Sequence, residues 1–299
     1  MSARLGLARR VPIPITIASL LALAATGCNT CCPKPSPCCE RGAGISSPAP
    51  TVAVAVAVAP AAPTAPAPAA GPDTWDALLR KYVRGDYVDY AAWKANPADL
   101  ALLDSFLAWQ GKADVKAMSE SDQIAFYINA YNSTNIRMVL DHYPIHSPMD
   151  IPGYFDKIKH RVAGEDLTVS EVEYDRLIAQ HKDMRAHFAV VCSDRGCLPI
   201  RAGAWRGATL DADLDAAARK FAHDPRHFKV DVEKKEVWIS KIFEWYGKKF
   251  MDDPKRPAAK PELFVLPYVD DDARKLLESG DYTVKIIEWN WTLNEKRSM

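Results

Sequence analysis

The chain has 299 residues, of which 48% are hydrophobic and 25% are charged. This composition excludes a collagen-like or wholly disordered protein and allows one large domain or two small ones. Basic and acidic residues balance overall, but residues 1–72 hold five basic residues and one acidic residue, so the remainder carries 33 basic and 37 acidic residues, a net charge of −4. Such a body lacks the basic surface typical of nucleic-acid binding, and no nucleic-acid partner is expected.

The first residues have the pattern of a secretory signal peptide. Three arginines precede an apolar run over residues 11–25, which is shorter than the ~20 residues of a membrane-spanning helix. The run ends in Ala25-Thr26-Gly27-Cys28, which resembles a bacterial lipobox, although Ala25 stands where that pattern usually has Leu. We therefore predict a signal peptide over residues 1–27 and lipidation of Cys28, with plain secretion as the alternative.

A lipidated Cys28 predicts an exported protein whose partner is the membrane, reached through the lipid anchor. The next residue is Asn29 and not the aspartate that resembles an inner-membrane retention signal. The protein is therefore expected at the outer membrane, with its globular domain outside the cytoplasm.

Residues 28–72 are predicted to be a disordered tether. Eighteen of the 25 residues from 48 to 72 are Ala or Pro, a composition typical of an extended linker. Four more cysteines, which lack nearby histidines, favour disulfides of an exported segment over a zinc site: Cys31, Cys32, Cys38 and Cys39.

Residues 73–299 are predicted to form one α+β domain with a mixed or antiparallel sheet, because helices and strands interleave without a regular βαβ repeat. The predicted helices are 75–83, 97–109, one from Ser121 to before Pro144, one from Ser170 to His181, 210–222, 242–250 and 267–278. The predicted strands are a hairpin around Gly164, an apolar strand from Ala186 to Cys192, a hairpin over 229–232 and 236–239, and a closing strand over 282–289. Ser121 is the expected cap of its helix, and Ser170 with Glu173 the expected capping box.

Asn129, Asn132 and Asn135 occupy the middle of the helix that follows Ser121. Asparagine is a weak helix former, and residues three apart share a helix face, so at least two of these amides point the same way. One interpretation is a structural network of buried amides. The other is that an amide orients a catalytic group or donates to an oxyanion.

Two cysteines, Cys192 and Cys197, flank a polar loop at the end of the predicted 186–192 strand. A cysteine there is a packing residue, half of a disulfide, or a nucleophile whose pKa a nearby cation or histidine lowers. Arg185, His187 and Arg195 are the nearest such groups, but strand alternation places His187 and Cys192 on opposite faces. No second cysteine pair completes a zinc site, and no phosphate loop, HExxH helix or GxSxG elbow occurs, so neither a metal nor another cofactor is predicted.

Five ordered motifs resemble domain-of-unknown-function 547: Phe126 to Asn132, His187 to Cys192, Gly196-Cys197, Ser240 to Tyr246, and Trp291 to Asn294. The resemblance implies a single domain, often exported in bacteria, with no settled activity. Asn129, Arg185, His187, Cys192 and Cys197 match the family pattern. Tyr174 and Asn290 depart from it, because the pattern often has histidine and aspartate there, and Pro199 is displaced by one position.

The recurrence of Asn, His and Cys in the family suggests, by analogy, a papain-like or transglutaminase-like site. We therefore expect a Cys-dependent hydrolase or acyl transferase that acts on a periplasmic or cell-wall substrate. Its expected catalytic residues are Cys192, His187 and Asn129, and its expected ligand-binding residues are Asn132, Arg185 and Ser193. The alternative is a non-catalytic ligand-binding or scaffold module with a structural Cys192–Cys197 disulfide.

The predicted anchor has a direct test. Cys28→Ala removes the only acceptor for the lipid at the predicted cleavage site, so we expect the protein to move from the membrane fraction to the soluble fraction of cells that express it. Cys31→Ala is the matched control and should leave fractionation unchanged. Membrane association that survives Cys28→Ala would exclude the lipid anchor.

Overall fold

The structure, a computed structural model, describes residues 71–296. The predicted signal peptide, the Cys28 lipidation site and nearly all of the predicted tether lie outside these residues. None of the helices within residues 71–296 has both the length and the apolar character to cross a membrane.

Three helices form the N-terminal part around an aromatic core: α1 (Pro72–Tyr82), α2 (Tyr90–Lys94) and α3 (Pro97–Lys112). Two short antiparallel strands, β1 (Val83–Arg84) and β2 (Tyr87–Val88), connect α1 to α2. Trp75 is fully buried, stacks on Phe106 with ring centroids 5.5 Å apart, and lies 6.3 Å from Trp93. Stacked aromatic rings of this size dominate the burial of a small core.

Helix α4 (Glu120–His142) is the central element, and a short 3-10 turn, Val115–Ala117, precedes it. Its cap is Ser119, whose Oγ accepts the N–H of Asp122 at 3.2 Å, so the prediction that Ser121 caps this helix was wrong. Ser121 lies within the first turn. Helix α4 is buried along most of its length and contributes Ile128 to one apolar cluster and Val139 to the other.

Strands β3 (His160–Val162) and β4 (Glu165–Leu167) follow the 3-10 turn Pro148–Asp150 and confirm the hairpin predicted around Gly164. The next helical stretch consists of α5 (Val169–Glu171), a π-helical segment (Val172–Ile178) and α6 (Ala179–His181).

The capping box of this stretch is Thr168 with Glu171, and not the predicted Ser170 with Glu173. Thr168 Oγ1 accepts the N–H of Glu171 at 3.2 Å, while Glu171 accepts the N–H of Thr168 at 2.8 Å. Glu173, which the cap does not need, is buried inside the protein.

The strand predicted from Ala186 to Cys192 was wrong. Met184–Phe188 form a 3-10 helix, and residues 190–192 belong to no sheet. The Asn132 side chain donates to the carbonyl of Ala189 at 3.0 Å and accepts the N–H of Val191 at 2.7 Å, so a side chain replaces the partner strand. The alternation that separated His187 from Cys192 therefore does not apply.

The C-terminal part is a three-stranded mixed sheet with flanking helices. Its order is β5-β6-β7, with β5 and β6 antiparallel and β6 and β7 parallel, which confirms the predicted hairpin and closing strand. The remaining elements are, in chain order, the 3-10 turn Gly207–Thr209, α7 (Leu210–His223), β5 (Phe228–Asp231), β6 (Glu236–Ser240), α8 (Lys241–Met251), the 3-10 helix Pro261–Tyr268, α9 (Asp271–Ser279) and β7 (Thr283–Ile287).

The helix predicted over 267–278 is therefore divided. Asp270 caps α9 by accepting the N–H of Ala273 at 2.8 Å, which separates α9 from the preceding 3-10 helix. Taken together, the described residues form the predicted α+β arrangement with a mixed sheet.

Candidate functional site

Residues 192–197 form a tight buried turn, named here the thiol turn, that carries both cysteines of the described chain. Ser193 has a φ of 63°, in the left-handed region that non-glycine residues rarely adopt. The Ser193 carbonyl accepts the N–H of Asn294 at 3.0 Å, and the Arg195 N–H donates to the carbonyl of Thr292 at 2.9 Å. The C-terminal segment therefore holds the thiol turn in a strained conformation of the kind that often marks functional sites.

The carboxylate of Asp194 organises this turn from inside. Its Oδ1 accepts the N–H groups of Gly196 and Cys197 at 2.9 and 3.0 Å. Its Oδ2 accepts the indole N–H of Trp289 at 3.0 Å and lies 3.1 Å from the Cys192 thiol. Burial raises the pKa of Asp194 in spite of these hydrogen bonds.

Gly196 and Trp289 complete this packing. A Cβ at Gly196 would collide with the Trp289 indole, so the turn requires glycine at that position. Trp289 also lies 5.1 Å from Trp245, which is 41% exposed, so aromatic rings extend from the turn to the surface.

The two thiols lie side by side, with their Sγ atoms 2.8 Å apart. Both cysteines are free, so the predicted Cys192–Cys197 disulfide is not formed in the structure, although the pairing stays a prediction for the oxidised protein. Burial raises the pKa of Cys192 well above its usual range, and Cys197 and Asp194 act in the same direction. Burial also raises the pKa of Cys197, against the hydrogen bonds that it receives from Cys192.

Glu173 and His187 form a buried carboxylate–imidazole pair. The π-helical segment directs Glu173 inward, and its Oε1 lies 2.9 Å from His187 Nδ1. His187 Nε2 is buried and has no hydrogen-bond partner within the described chain. A carboxylate on one ring nitrogen fixes the tautomer and leaves the other nitrogen as a proton acceptor.

Two tyrosines lie beside this pair. The His187 ring stacks on Tyr246 at a centroid distance of 4.6 Å, and the Tyr246 hydroxyl bonds to that of Tyr174. Burial raises the pKa of Tyr246, and the negative charge of Glu173 raises it further. Tyr174, which departs from the family pattern, therefore belongs to the same cluster as Glu173 and His187.

The amides of Asn129 and Asn132 both bind backbone groups. The Asn129 amide donates to the carbonyl of Trp205 and accepts the N–H of Trp205, both at 2.9 Å. Asn132 makes the equivalent pair with Ala189 and Val191. These contacts agree with the first interpretation of the asparagines, a structural network of buried amides, and the catalytic role of Asn129 and the ligand-binding role of Asn132 stay predictions.

Arg185 also binds other parts of the chain. Its side chain is 3% exposed and makes a bidentate pair with Asp183, at 3.0 and 2.7 Å, and single contacts with Asp211 at 2.7 Å and Asp215 at 2.6 Å. It joins the 3-10 helix that carries His187 to the first turns of α7. Ser193, the other predicted ligand-binding residue, is 1% exposed and contributes its strained backbone to the thiol turn.

A cavity of about 160 Å³ opens beside the thiol turn. Cys197 and Asp194 line it, together with Arg195 and the other family departure, Asn290. Cys192 does not line this cavity.

The side chains of Cys192, Asp194 and Cys197 have ligand atoms within 4.8 Å of one another, which is close enough to hold one metal ion. Two thiolates and a carboxylate are a donor set that suits zinc. From the sequence we predicted no metal, and the presence of this cluster leaves that prediction untested.

Sequence reasoning missed Glu173, Asp194 and Tyr246 as members of the site. Glu173 was assigned to a capping box, and Asp194 was counted as a turn former. The only signal was the family resemblance, since Tyr246 ends one of its motifs and Asp194 lies between the motifs that end at Cys192 and begin at Gly196. Glu173 lies in none of the motifs.

The fold and site define an α+β protein with a buried two-thiol turn and a buried carboxylate–imidazole pair. Residues 115–222 match the model of one family, described as Protein of unknown function, DUF547. The match spans about a third of the chain and includes Glu173, His187 and the thiol turn. No curated protein and no solved structure shows a significant match, and the papain-like or transglutaminase-like arrangement stays a prediction.

The Arg185 network predicts a large effect on stability. Arg185→Ala leaves the buried Asp183 without its bidentate partner, so we expect the free energy of unfolding at pH 7 to fall by about 3–5 kcal/mol. Arg176→Ala is the control, because its bidentate pair with the half-exposed Glu165 lies at the surface and should contribute about 1 kcal/mol or less. Equal losses in the two variants, measured by denaturant unfolding, would contradict a dominant role for Arg185.

The same pair sets a pH dependence. Burial opposes ionisation of Asp183, but Arg185, with Lys255 and Arg256, holds its pKa below the usual value. A lowered carboxylate pKa stabilises the fold above the unfolded-state pKa of about 3.9, and that stability is lost as the pH falls through the folded-state pKa. Asp183→Asn should therefore lose less stability than the wild type between pH 5 and pH 2, to be measured on the same unfolding curves.

Proposed function

We propose that the domain is a thiol-dependent hydrolase or acyl transferase. The observation that supports it is the buried Glu173–His187 pair, whose Nε2 has no hydrogen-bond partner in the described chain. The two cysteines of the domain follow His187 by five and ten residues. A base oriented by a carboxylate beside a nucleophilic side chain is the arrangement that covalent acyl transfer requires.

The reaction follows from the charges of the resting site. Burial raises the pKa of both cysteines, so both thiols are protonated at neutral pH. His187 Nε2 accepts the thiol proton as sulfur forms a bond to the acyl carbon, and the Glu173 carboxylate stabilises the imidazolium. The proton then passes to the leaving amine or alcohol, and water or an acceptor amine releases the acyl group from sulfur.

We assign two residue roles differently from the sequence expectation. The Asn129 amide bonds to both backbone groups of Trp205, and Glu173 is hydrogen-bonded to His187, so in the proposed reaction Glu173 orients His187. Arg185 and Asn132 support the backbone on which His187 and Cys192 lie.

The cellular setting of the proposal comes from the N-terminal sequence. A lipid on Cys28 would anchor the chain to the outer membrane, and the tether would space the domain from that surface. The substrate would then be a periplasmic or cell-wall acyl compound.

A specific observation supports the alternative of a non-catalytic ligand-binding or scaffold module. Cys192 is only 7% exposed, and the two sulfurs are 2.8 Å apart. Oxidation of this pair would give a structural disulfide and remove the nucleophile.

An acylation experiment separates the two functions. Full-length protein is treated with p-nitrophenyl acetate, and peptide mapping by mass spectrometry distinguishes acetylation of the thiol turn from acetylation of the tether cysteines. We expect His187→Gln to slow acetylation of the thiol turn by about 10²- to 10⁴-fold, the usual contribution of a general base. Glu173→Gln should slow it less, because the base remains.

His223→Gln is the matched control, because His223 is exposed and lies on α7 outside the site. The unfolding midpoint of each variant shows whether it folds, and Glu173→Gln provides the test if His187→Gln does not. Acetylation of the thiol turn at the wild-type rate in a folded His187 or Glu173 variant would favour the non-catalytic module.

A further inference from the structure

The two cysteines differ in their exposure and in their surroundings. Cys192 belongs to the large apolar cluster and is 7% exposed, whereas Cys197 is half-buried and lines the 160 Å³ cavity. Sequence reasoning favoured Cys192 as the nucleophile, but of the two cysteines only Cys197 lines this cavity.

The backbone around Cys197 also favours it as the reacting sulfur. The N–H of Cys192 donates to Cys197 Sγ at 3.2 Å, and the Cys192 thiol lies within reach of the same atom. Donors directed at a sulfur stabilise the negative charge that develops on it as its proton leaves. Cys192 then acts as a neighbour that supports Cys197.

Arg195 gives the cavity a charge with no counter-ion. Its guanidinium stacks over Tyr87 at 4.8 Å and donates to the carbonyls of Leu293 and Glu295, each at 3.3 Å. Among residues 71–296 no carboxylate lies within ion-pair distance of it. Arg226, the other arginine of the cavity, already pairs with Asp224 at 2.5 Å and Asp86 at 3.1 Å.

We propose that this cavity is the substrate site, in which Arg195 binds a carboxylate of the acyl substrate and Cys197 takes the acyl group. Arginine is the side chain best suited to recognise a carboxylate by two parallel hydrogen bonds. The cavity is smaller than the 300–1,000 Å³ of a typical ligand pocket. It therefore takes one end of a larger substrate, with the carboxylate close to the reacting carbonyl.

The acyl step rests on the proposed function and needs no reactant besides water, which supplies a hydroxyl group to the acyl carbon and a proton to the sulfur when the thioester is hydrolysed. The Cys197 sulfur forms a bond to the acyl carbon while its proton moves to His187 Nε2. The bond from that carbon to the leaving nitrogen or oxygen breaks, and His187 returns the proton to the leaving group. Hydrolysis of the thioester restores the thiol.

A pair of alkylating reagents tests the cavity without knowledge of the natural substrate. Iodoacetate carries a carboxylate and iodoacetamide is its neutral counterpart of similar size. Their rates at Cys197 in the full-length chain are compared by peptide mapping, which also separates Cys192 and the tether cysteines. Arg195→Gln should lower the iodoacetate-to-iodoacetamide rate ratio at Cys197 by about 10- to 100-fold, the usual worth of a charged hydrogen bond.

Two further variants complete the design. Arg195→Lys keeps the charge and should retain most of the preference for iodoacetate, and it provides the test if Arg195→Gln does not fold. Arg219→Gln is the matched control, because Arg219 is exposed and lies over Tyr268, outside the cavity. It should leave the ratio unchanged.

An unchanged ratio in folded Arg195→Gln, alkylation of Cys192 in place of Cys197, or no alkylation of either thiol would overturn the proposal. Alkylation does not use His187, so its outcome is independent of acyl transfer. An Arg195-dependent ratio with no loss of acetylation in His187→Gln would support the cavity and reject the enzyme. Loss of acetylation in His187→Gln with an unchanged ratio in Arg195→Gln would support the enzyme and reject the cavity as its substrate site.

Discussion

The site depends on one buried carboxylate, that of Asp194. Its two oxygen atoms accept hydrogen bonds from two backbone N–H groups of its own turn, from the Trp289 indole and from the Cys192 thiol. A buried carboxylate needs such donors, because water no longer solvates it. The thiol turn and the C-terminal segment are consequently held together, and the left-handed backbone of Ser193 is maintained by contacts on both sides.

The remaining elements position the buried Glu173–His187 pair. Asn132 of α4 replaces a partner strand for residues 189–191, and Arg185 fixes the 3-10 helix on which His187 lies. The π-helical segment then supplies Glu173 to His187 Nδ1. Asn132, Arg185, Glu173 and the Nδ1 atom of His187 each have a fixed partner, and such buried polar contacts favour a single geometry. His187 Nε2 is the buried nitrogen of this pair that the described chain leaves free for chemistry.

Local patterns in the sequence were sufficient for much of the fold. The β5–β6 hairpin, β7 and α7 follow from hydrophobic periodicity and turn residues, and they are present as predicted. The predicted strand at 186–192 failed because a distant amide, that of Asn132, satisfies the backbone there, and no local signal shows that. The Glu173–His187 pair was missed for the same reason: a π-helical segment directs Glu173 inward, whereas a capping box would have placed it at a helix end. Cys192 and Cys197 were found because they are the only two cysteines of residues 73–299, but their relative exposure is set by tertiary packing.

In the proposed reaction Glu173 holds the His187 proton on Nδ1 and leaves Nε2 free to act as a base. The most direct measurement is the tautomeric state of His187 in the full-length chain, by ¹⁵N NMR of histidine-labelled protein at pH 8, above the usual histidine pKa of about 6.5. The His187→Gln variant identifies the resonances by their loss. We expect a protonated Nδ1 and an unprotonated Nε2 in the wild-type protein, and a change in the Nδ1 resonance in Glu173→Gln. A proton on Nε2 would contradict the proposed reaction, because His187 would then have no lone pair to accept the thiol proton.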